Sequence, residues 1–507
     1  MLAAGRAGRH RRQSHRSVAS GTRYTIREWM QPHPAPSPRM QSDPQLDSPS
    51  PLASESQAHA TPPMPLQPQQ TRTPYHISGR ADEQALVDEF KGKPLTALRT
   101  PALIIDRAIF ARNCAMMHER AKSWGASFRA HVKSHKTAEG TRLQLSSSVD
   151  TTHAIVVSTI MEACEVLRAG LLVDGMVNDI LYGLPLALNK VADLSALWDQ
   201  CFPFNCHFRV LVDHPEQIRF VEAWEQQRGS KRRWSVFIKV DCGLKRAGMQ
   251  PTDPVFEELL TKALNSPFIC VYGFYTHGGH SYSATSLPSA TAFLSKEIDA
   301  VNSAAGLALQ ILANSPGALP HENPFVLAIG STPTAHAATP EARGFLSALN
   351  GRLEIHAGNY PLLDLQMLHT GLVDAGSVAQ RVLATIISYY PARGEDGTDE
   401  AMCDAGAIAM SKETGPIEGY GMVVDKPWRL SRVSQEHGIL TQTRSFTREE
   451  REGKDPGTRL KIGDNVSIFC QHACLTLANF PWYYVVDSDG PDGAKNVCSV
   501  WVPWKGW

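Results

Sequence analysis

A chain of 507 residues and 55.6 kDa exceeds one ordinary domain, and a hydrophobic fraction of 42% can bury a large core. Lys+Arg 50 against Asp+Glu 50 leave a formal net charge of zero, which offers no general attraction to nucleic acid or to an anionic membrane surface. No apolar run approaches the roughly 20 residues that cross a bilayer, and the 10 cysteines, lacking a CxxC framework, read as reduced thiols rather than a disulfide scaffold.

In chain order, residues 1–95 read as a disordered extension. Met1 to Met30 sets seven arginines (Arg6, Arg9, Arg11, Arg12, Arg16, Arg23, Arg27) against Glu28, a composition compatible with a mitochondrial presequence; a solvated basic tail on a cytoplasmic protein is the other reading. Gln31 to Pro74 is dense in Pro, Ser and Gln and cannot bury enough surface to offset the entropy of ordering.

From Leu98 onward, short β-branched or aromatic runs alternate with helix-length segments, the pattern of repeated βα units. Pro101–Asp106 is a leading strand. After it, Phe110, Cys114, Met117, Ala121 and Trp124 fall at intervals of 4, 3, 4 and 3 and share one face of a helix. Strands are then expected at Phe128–Val132, Ala154–Val157, Val173–Val177, Phe208–Val212, Val236–Val240, Cys270–Tyr275, Phe325–Ile329 and Leu353–His356. Eight such strands close a parallel (β/α)8 barrel, placed over residues 96–370. Past Gly371 the alternation stops, and strand-like runs at Arg381–Tyr389, Gly419–Val424, Asn465–Phe469, Trp482–Val486 and Val497–Val502 predict a mainly β domain over 371–507. The leading strand precedes the eight and is expected to pair with that domain. Thr443–Thr458, charged and containing Gly, reads as a mobile loop.

Barrel enzymes assemble their sites at the carboxyl ends of the strands, often with a phosphate bound after the seventh and eighth. Here those strands end in Ile329-Gly330-Ser331-Thr332 and His356-Ala357-Gly358-Asn359, small residues whose backbone N–H groups can approach an anion. The same residues also suit a plain structural turn. The first barrel strand leads into Arg129-Ala-His131-Val-Lys133-Ser-His135-Lys136, and strand alternation puts Arg129, His131 and Lys133 on one face. Lys133 is either part of a surface basic cluster or an amine at the barrel mouth able to attack a carbonyl. An amine and a phosphate cup on one rim together describe a site for pyridoxal phosphate. The sixth strand adds Tyr275 and Tyr282 around a polar cluster. Near the end, Cys470-Gln471-His472-Ala473-Cys474 places His472 and Cys474 on one side of an extended segment, an imidazole and thiolate pair that suits zinc although a third ligand is not visible.

Taken together, these residues resemble the eukaryotic D-serine dehydratases, grouped with D-threonine aldolases on the alanine-racemase-like barrel. The resemblance runs from about Leu98 to the C-terminus and is most specific at His131-Val-Lys133-Ser-His135-Lys136 and His472-Ala-Cys474. It implies that Lys133 carries pyridoxal 5'-phosphate, that Tyr275, Tyr282, Thr332, Gly358 and Asn359 contact the cofactor, and that His472 and Cys474 hold Zn2+. The activity it implies is elimination of water from a D-β-hydroxy amino acid, giving pyruvate and ammonia from D-serine, in a homodimer. D-threonine aldolase is the neighbouring activity, and a non-catalytic pyridoxal-phosphate-binding protein is the alternative from another class.

Overall fold

Runs of branched and aromatic residues that are buried on both faces must be covered on both sides, and from Ser127 to Ala357 the chain meets that demand by closing a sheet on itself. The structure, a computed structural model, describes residues 80–507 except 316, 318, 346–347, 395–396 and 452–457. The leading strand β1 is Ala102–Asp106. The closed barrel follows as β2 (Ser127–His131), β3 (Ala154–Val157), β4 (Asp179–Pro185), β5 (His207–Val212), β6 (Trp234–Lys239), β7 (Ile269–Tyr275), β8 (Phe325–Ile329) and β9 (Gly351–Ala357). Every neighbouring pair is parallel, and β9 returns to β2 with Phe128 opposite Ile355. Helices lie between the strands, the first being Arg107–Trp124, whose Phe110, Cys114, Met117, Ala121 and Trp124 are all buried as their spacing predicts.

One expected strand is corrected. Val173–Val177 is a turn region, with Val173 70% exposed and Gly170 and Gly175 at φ 72° and 68°; the strand is Asp179–Pro185, whose Ile180, Leu181 and Tyr182 are fully buried. A local apolar pair misleads here because left-handed glycines on either side turn the chain before it can extend.

The barrel interior is layered. Toward the amino ends of the strands, the fully buried Arg129 bonds Glu354 through Nε at 2.7 Å and Asp179 through Nη1 at 2.7 Å, and Arg209 joins the same Asp179 while lying 3.3 Å over the Tyr272 ring. Each buried charge thus has a partner, as burial requires. Above that layer Val156, Leu181, Leu211, Phe237 and Val326 fill the middle, and Phe237 pointing inward puts Lys239, two residues on, inside as well.

The second sheet contains β10 (Gln380–Tyr390), β11 (Glu400–Cys403), β12 (Gly421–Val423), β13 (Trp428–Ser434), β14 (His437–Gln442), β15 (Asn465–Cys470), β16 (Tyr483–Val486) and β17 (Ser499–Trp501). Its order is β11-β14-β13-β12-β15-β10-β1-β16-β17, and β11 also pairs with β10, so six strands form a ring of pairings. β1 lies inside this sheet, antiparallel to β10 and parallel to β16, as the sequence suggested.

The expected presequence and the Pro-rich tract lie in residues 1–79, outside the described residues. The end of the expected disordered extension is corrected: Glu83–Phe90 is a helix capped by the Asp82 side chain, and its Phe90 packs edge-on against Tyr484 with ring centroids 5.0 Å apart. The expected loop Thr443–Thr458 lies partly outside the described residues, and its described part holds the helical turn Arg448–Arg451.

Candidate active site

Strand ends and the loops after them carry the side chains that converge at the barrel mouth. β2 stops at His131, and Val132–Ser134 is a 3-10 turn, so Lys133 does not continue the strand alternation expected of it. Arg129 belongs to the buried ionic layer, His131 stands one step above it, and Lys133 reaches over the rim from the turn. Lys136 follows at φ 53°, its carbonyl accepting the Trp504 N–H at 2.7 Å, so the C-terminal segment braces this turn.

Lys133, Tyr275, Tyr282, Thr332, Gly358, Asn359, His472 and Cys474 all line one cavity of about 300 Å3. Opposite Lys133 are the ends of β8 and β9. Gly330 has φ 139°, and a Cβ there would lie 2.0 Å from the His356 carbonyl oxygen; a Cβ on Gly358 would lie 3.1 Å from Lys133 Cε. Only glycine lets these two turns come so close to each other and to the lysine. Ser331 caps the helix Thr332–Ala337 and shares a 2.7 Å hydrogen bond with the Ser281 hydroxyl, while Asn359 N–H donates to Thr332 Oγ1 at 3.2 Å. The Asn359 side chain donates from Nδ2 to Asp364 Oδ2 at 2.7 Å, leaving its buried Oδ1 without a partner.

An aromatic wall also lines the cavity. Tyr275 stacks on His356 with centroids 4.0 Å apart and planes 11° apart, and Lys239 Nζ sits 4.7 Å from the Tyr275 ring. Burial, reinforced by nearby cations, holds His131, His277 and His356 well below the usual imidazole range, so all three are neutral donors or acceptors. Neither ring nitrogen of His356 has a hydrogen-bond partner although the residue is buried. Burial likewise raises the Tyr275 and Tyr282 phenols, which keep their protons.

On the other wall β15 ends at Cys470, and His472 precedes the short helix Ala473–Leu477 that carries Cys474. The segment is not extended through Cys474, yet both side chains face the cavity. Burial opposes charge on this pair, but hydrogen bonding and charge between them prevail: the Cys474 thiol is lowered and His472 is pushed up to about 10. His472 Nδ1–H donates to Glu413 Oε2 at 2.7 Å, and Gln366 Nε2 donates to Glu413 Oε1 at 2.9 Å. With Nδ1 so held, Nε2 is the nitrogen offered to an ion, the arrangement by which a carboxylate orients a metal-binding histidine. Among the described residues no set of three or more His, Cys, Asp or Glu side chains is poised as a cation cage, so the pair provides two protein donors and open positions. Asp364 links the two walls, its Oδ2 accepting from Asn359 on the cup side and from the Ala473 N–H, at 2.8 Å, on the other.

Sequence reasoning passed over three lining residues: Arg246, Gln366 and Glu413. Arg246 follows β6, so the strand-end rule that found the cup could have found it. Gln366 and Glu413 carry no such signal, since Glu413 is 59 positions from the histidine it binds.

Comparison with known proteins adds relatives over most of the chain. Residues 105–329 match the alanine racemase N-terminal domain family, and residues 379–486 match the serine dehydratase domain family. A D-serine dehydratase of Schizosaccharomyces pombe is 39% identical over 84% of this chain and 96% of its own, and one of Saccharomyces cerevisiae is 34% identical over 83% and 99%. Among solved structures, D-threo-3-hydroxyaspartate dehydratase from Delftia aligns at TM-score 0.65 and 28% identity, covering 82% of this chain and all of that one; a cysteine-to-alanine mutant of the same enzyme is described as a metal-free form.

Proposed function

The chain belongs to the D-serine dehydratase family, and on that premise we propose that it is a lyase that takes D-serine to pyruvate and ammonia with pyridoxal 5'-phosphate and a zinc ion bound in the cavity described above. The observation that carries the reading is the convergence of Lys133, the glycine-lined cup and the His472–Cys474 pair on one cavity of about 300 Å3. The residues suit the cofactor: an amine within reach of a carbonyl, close-approach glycines and hydroxyls for a phosphate, and the unpaired Asn359 Oδ1 and His356 nitrogens as polar contacts. They also suit zinc, which takes sulfur and nitrogen donors.

When bound, pyridoxal phosphate supplies a sink for the electron pair left at the α-carbon, and zinc supplies a Lewis acid for the departing hydroxide. The chain's own residues do the rest. Lys133 Nζ would hold the cofactor through its carbonyl and, as a free amine at the mouth, would be placed to take the α-proton. Gly330–Thr332 and Gly358–Asn359 would hold the phosphate, and the Tyr275–His356 stack would keep water off one side. Arg246, exposed at the mouth, receives the substrate carboxylate. Glu413 fixes His472 so that its Nε2 and Cys474 Sγ face inward together. Preference for the D enantiomer rests on the relatives.

Purified protein should show a visible cofactor absorbance that borohydride fixes to Lys133 and that Lys133→Ala lacks. Incubation with D-serine should release pyruvate, and D-threonine 2-oxobutanoate. Glycine from D-threonine in place of 2-oxobutanoate would replace dehydration by aldol cleavage, and absence of the absorbance would remove the catalytic reading.

A further inference from the structure

Behind the cup lies a carboxyl that none of this chemistry uses. Glu297, on the helix Leu287–Ala313, is fully buried. Its Oε1 accepts the Gly278 N–H, and a Cβ on Gly278 would come within 2.5 Å of that oxygen, so the loop leading to Tyr282 rests directly on the carboxyl. Thr334 and the Gly330 backbone also interact with it, which brings the turn after β8 onto the same side chain. Glu297 therefore ties together the two turns whose relative position makes the cup. Its other oxygen, Oε2, is buried without a hydrogen-bond partner.

The groups around it are Lys239 at the end of β6, Cys242 just after that strand, and Tyr275 on β7. Among the described residues no cation makes an ion pair with Glu297. An ionised carboxylate with one bare oxygen in such a place is costly, and placing a phosphate in the adjoining cup adds like-charge repulsion. Burial pushes Glu297 up to about 7, against the opposing effect of Thr334, the Gly278 N–H and Lys239. Burial and Arg246 in turn bring Lys239 down to about 7, so both groups titrate in the same range.

We propose that Glu297 is a positioning residue that holds the cup in its phosphate-receiving shape as a neutral acid, so that its ionisation and phosphate binding oppose one another. The proposal rests on pyridoxal phosphate being the ligand of the site. Because the group is neutral below its pKa and charged above it, affinity for the phosphate is greatest at lower pH and declines as pH rises through 7.

The test compares pyridoxal 5'-phosphate with 5'-deoxypyridoxal, which keeps the carbonyl, lacks the phosphate and has no 5'-hydroxyl to close on the aldehyde, so that their affinity ratio cancels the chemistry at Lys133. Dissociation constants come from equilibrium dialysis of the full-length protein, stripped and reloaded, at pH 6.5 to 8.5. The phosphate's advantage should fall about tenfold over that interval in the wild type, as like charges several ångströms apart in a protein interior imply. It should be constant in Glu297→Gln, which keeps the shape and cannot ionise. Lys239→Met separates the neighbouring titration and should retain the decline, displaced to higher pH because the cation that lowers Glu297 is gone, a measurement that stands even where Glu297→Gln does not fold. A constant ratio in the wild type, a decline that persists in Glu297→Gln, or one lost in Lys239→Met would each overturn the proposal. If neither compound develops cofactor absorbance at any pH, the pyridoxal-phosphate reading itself fails and takes this proposal with it.

Discussion

Two glycines at the cup have the same composition and opposite expected consequences when each gains one methyl group. At Gly330, φ 139° is strained for any side chain, costing about 1–3 kcal/mol, and the new Cβ would sit 2.0 Å from the His356 carbonyl oxygen. That oxygen belongs to β9, which is locked by pairing to both β8 and β2, so the backbone has nowhere to retreat. Overpacking of this kind costs a further ~1–3 kcal/mol. Gly330→Ala should therefore lose about 2–6 kcal/mol of stability and most of its affinity for pyridoxal phosphate. At Gly358 the methyl would instead meet Lys133 Cε at 3.1 Å and His131 Cβ at 3.3 Å. The nearest atom lies toward the free end of a flexible side chain and can move, so Gly358→Ala should keep its thermal midpoint near wild type while displacing the reactive amine. Circular dichroism melts, dialysis against the cofactor and D-serine turnover separate the two cases. The close-approach reasoning is wrong if Gly330→Ala melts and binds like the wild type, or if Gly358→Ala is destabilised as much as Gly330→Ala.

Replacing Arg129 by Met leaves Asp179 short of one partner and Glu354 with none inside the barrel, a loss of about 3–5 kcal/mol that denaturant unfolding should register at neutral pH. Burial raises the Asp179 carboxyl, but Arg129 and Arg209 outweigh it and hold it at about 2; its stabilising contribution is therefore complete above the unfolded value of about 4 and lost as pH falls through about 2. The stability difference between wild type and Asp179→Asn should accordingly stay level from pH 7 to about 4 and shrink below that. Asp364→Asn removes one of two hydrogen-bond acceptances that join the cup to the His472 wall, at a cost of about 1–3 kcal/mol, and should lower both cofactor affinity and zinc content, read by dialysis and by metal analysis. Chelation should abolish pyruvate formation while leaving the cofactor absorbance, since the His472–Cys474 pair and the Gly330–Gly358 turns stand on different walls; loss of the absorbance on chelation would refute that separation.

Strand periodicity made the barrel legible wherever a strand was bounded by turn residues, and the rule that chemistry gathers at strand ends reached Lys133, the cup and both tyrosines. It failed at Val173–Val177, where flanking glycines in left-handed conformation turn the chain. It also misplaced Lys133 on a strand that ends two residues earlier in a 3-10 turn. In each case the local pattern was right about residue type and wrong about backbone path, because the path depends on what the neighbouring segments permit.

Local order along the chain was enough to set which residues are apolar, which turns must be glycine, and which short motifs hold an amine, hydroxyls, an imidazole and a thiol. Folding alone decided that these groups share one cavity, that Glu413 reaches His472 across 59 positions, and that Glu297 presses on two turns from behind. The physical reason is that periodicity reports a residue's own burial, whereas hydrogen bonds and charge interactions depend on distances between segments remote in sequence, which exist only once the sheets have closed.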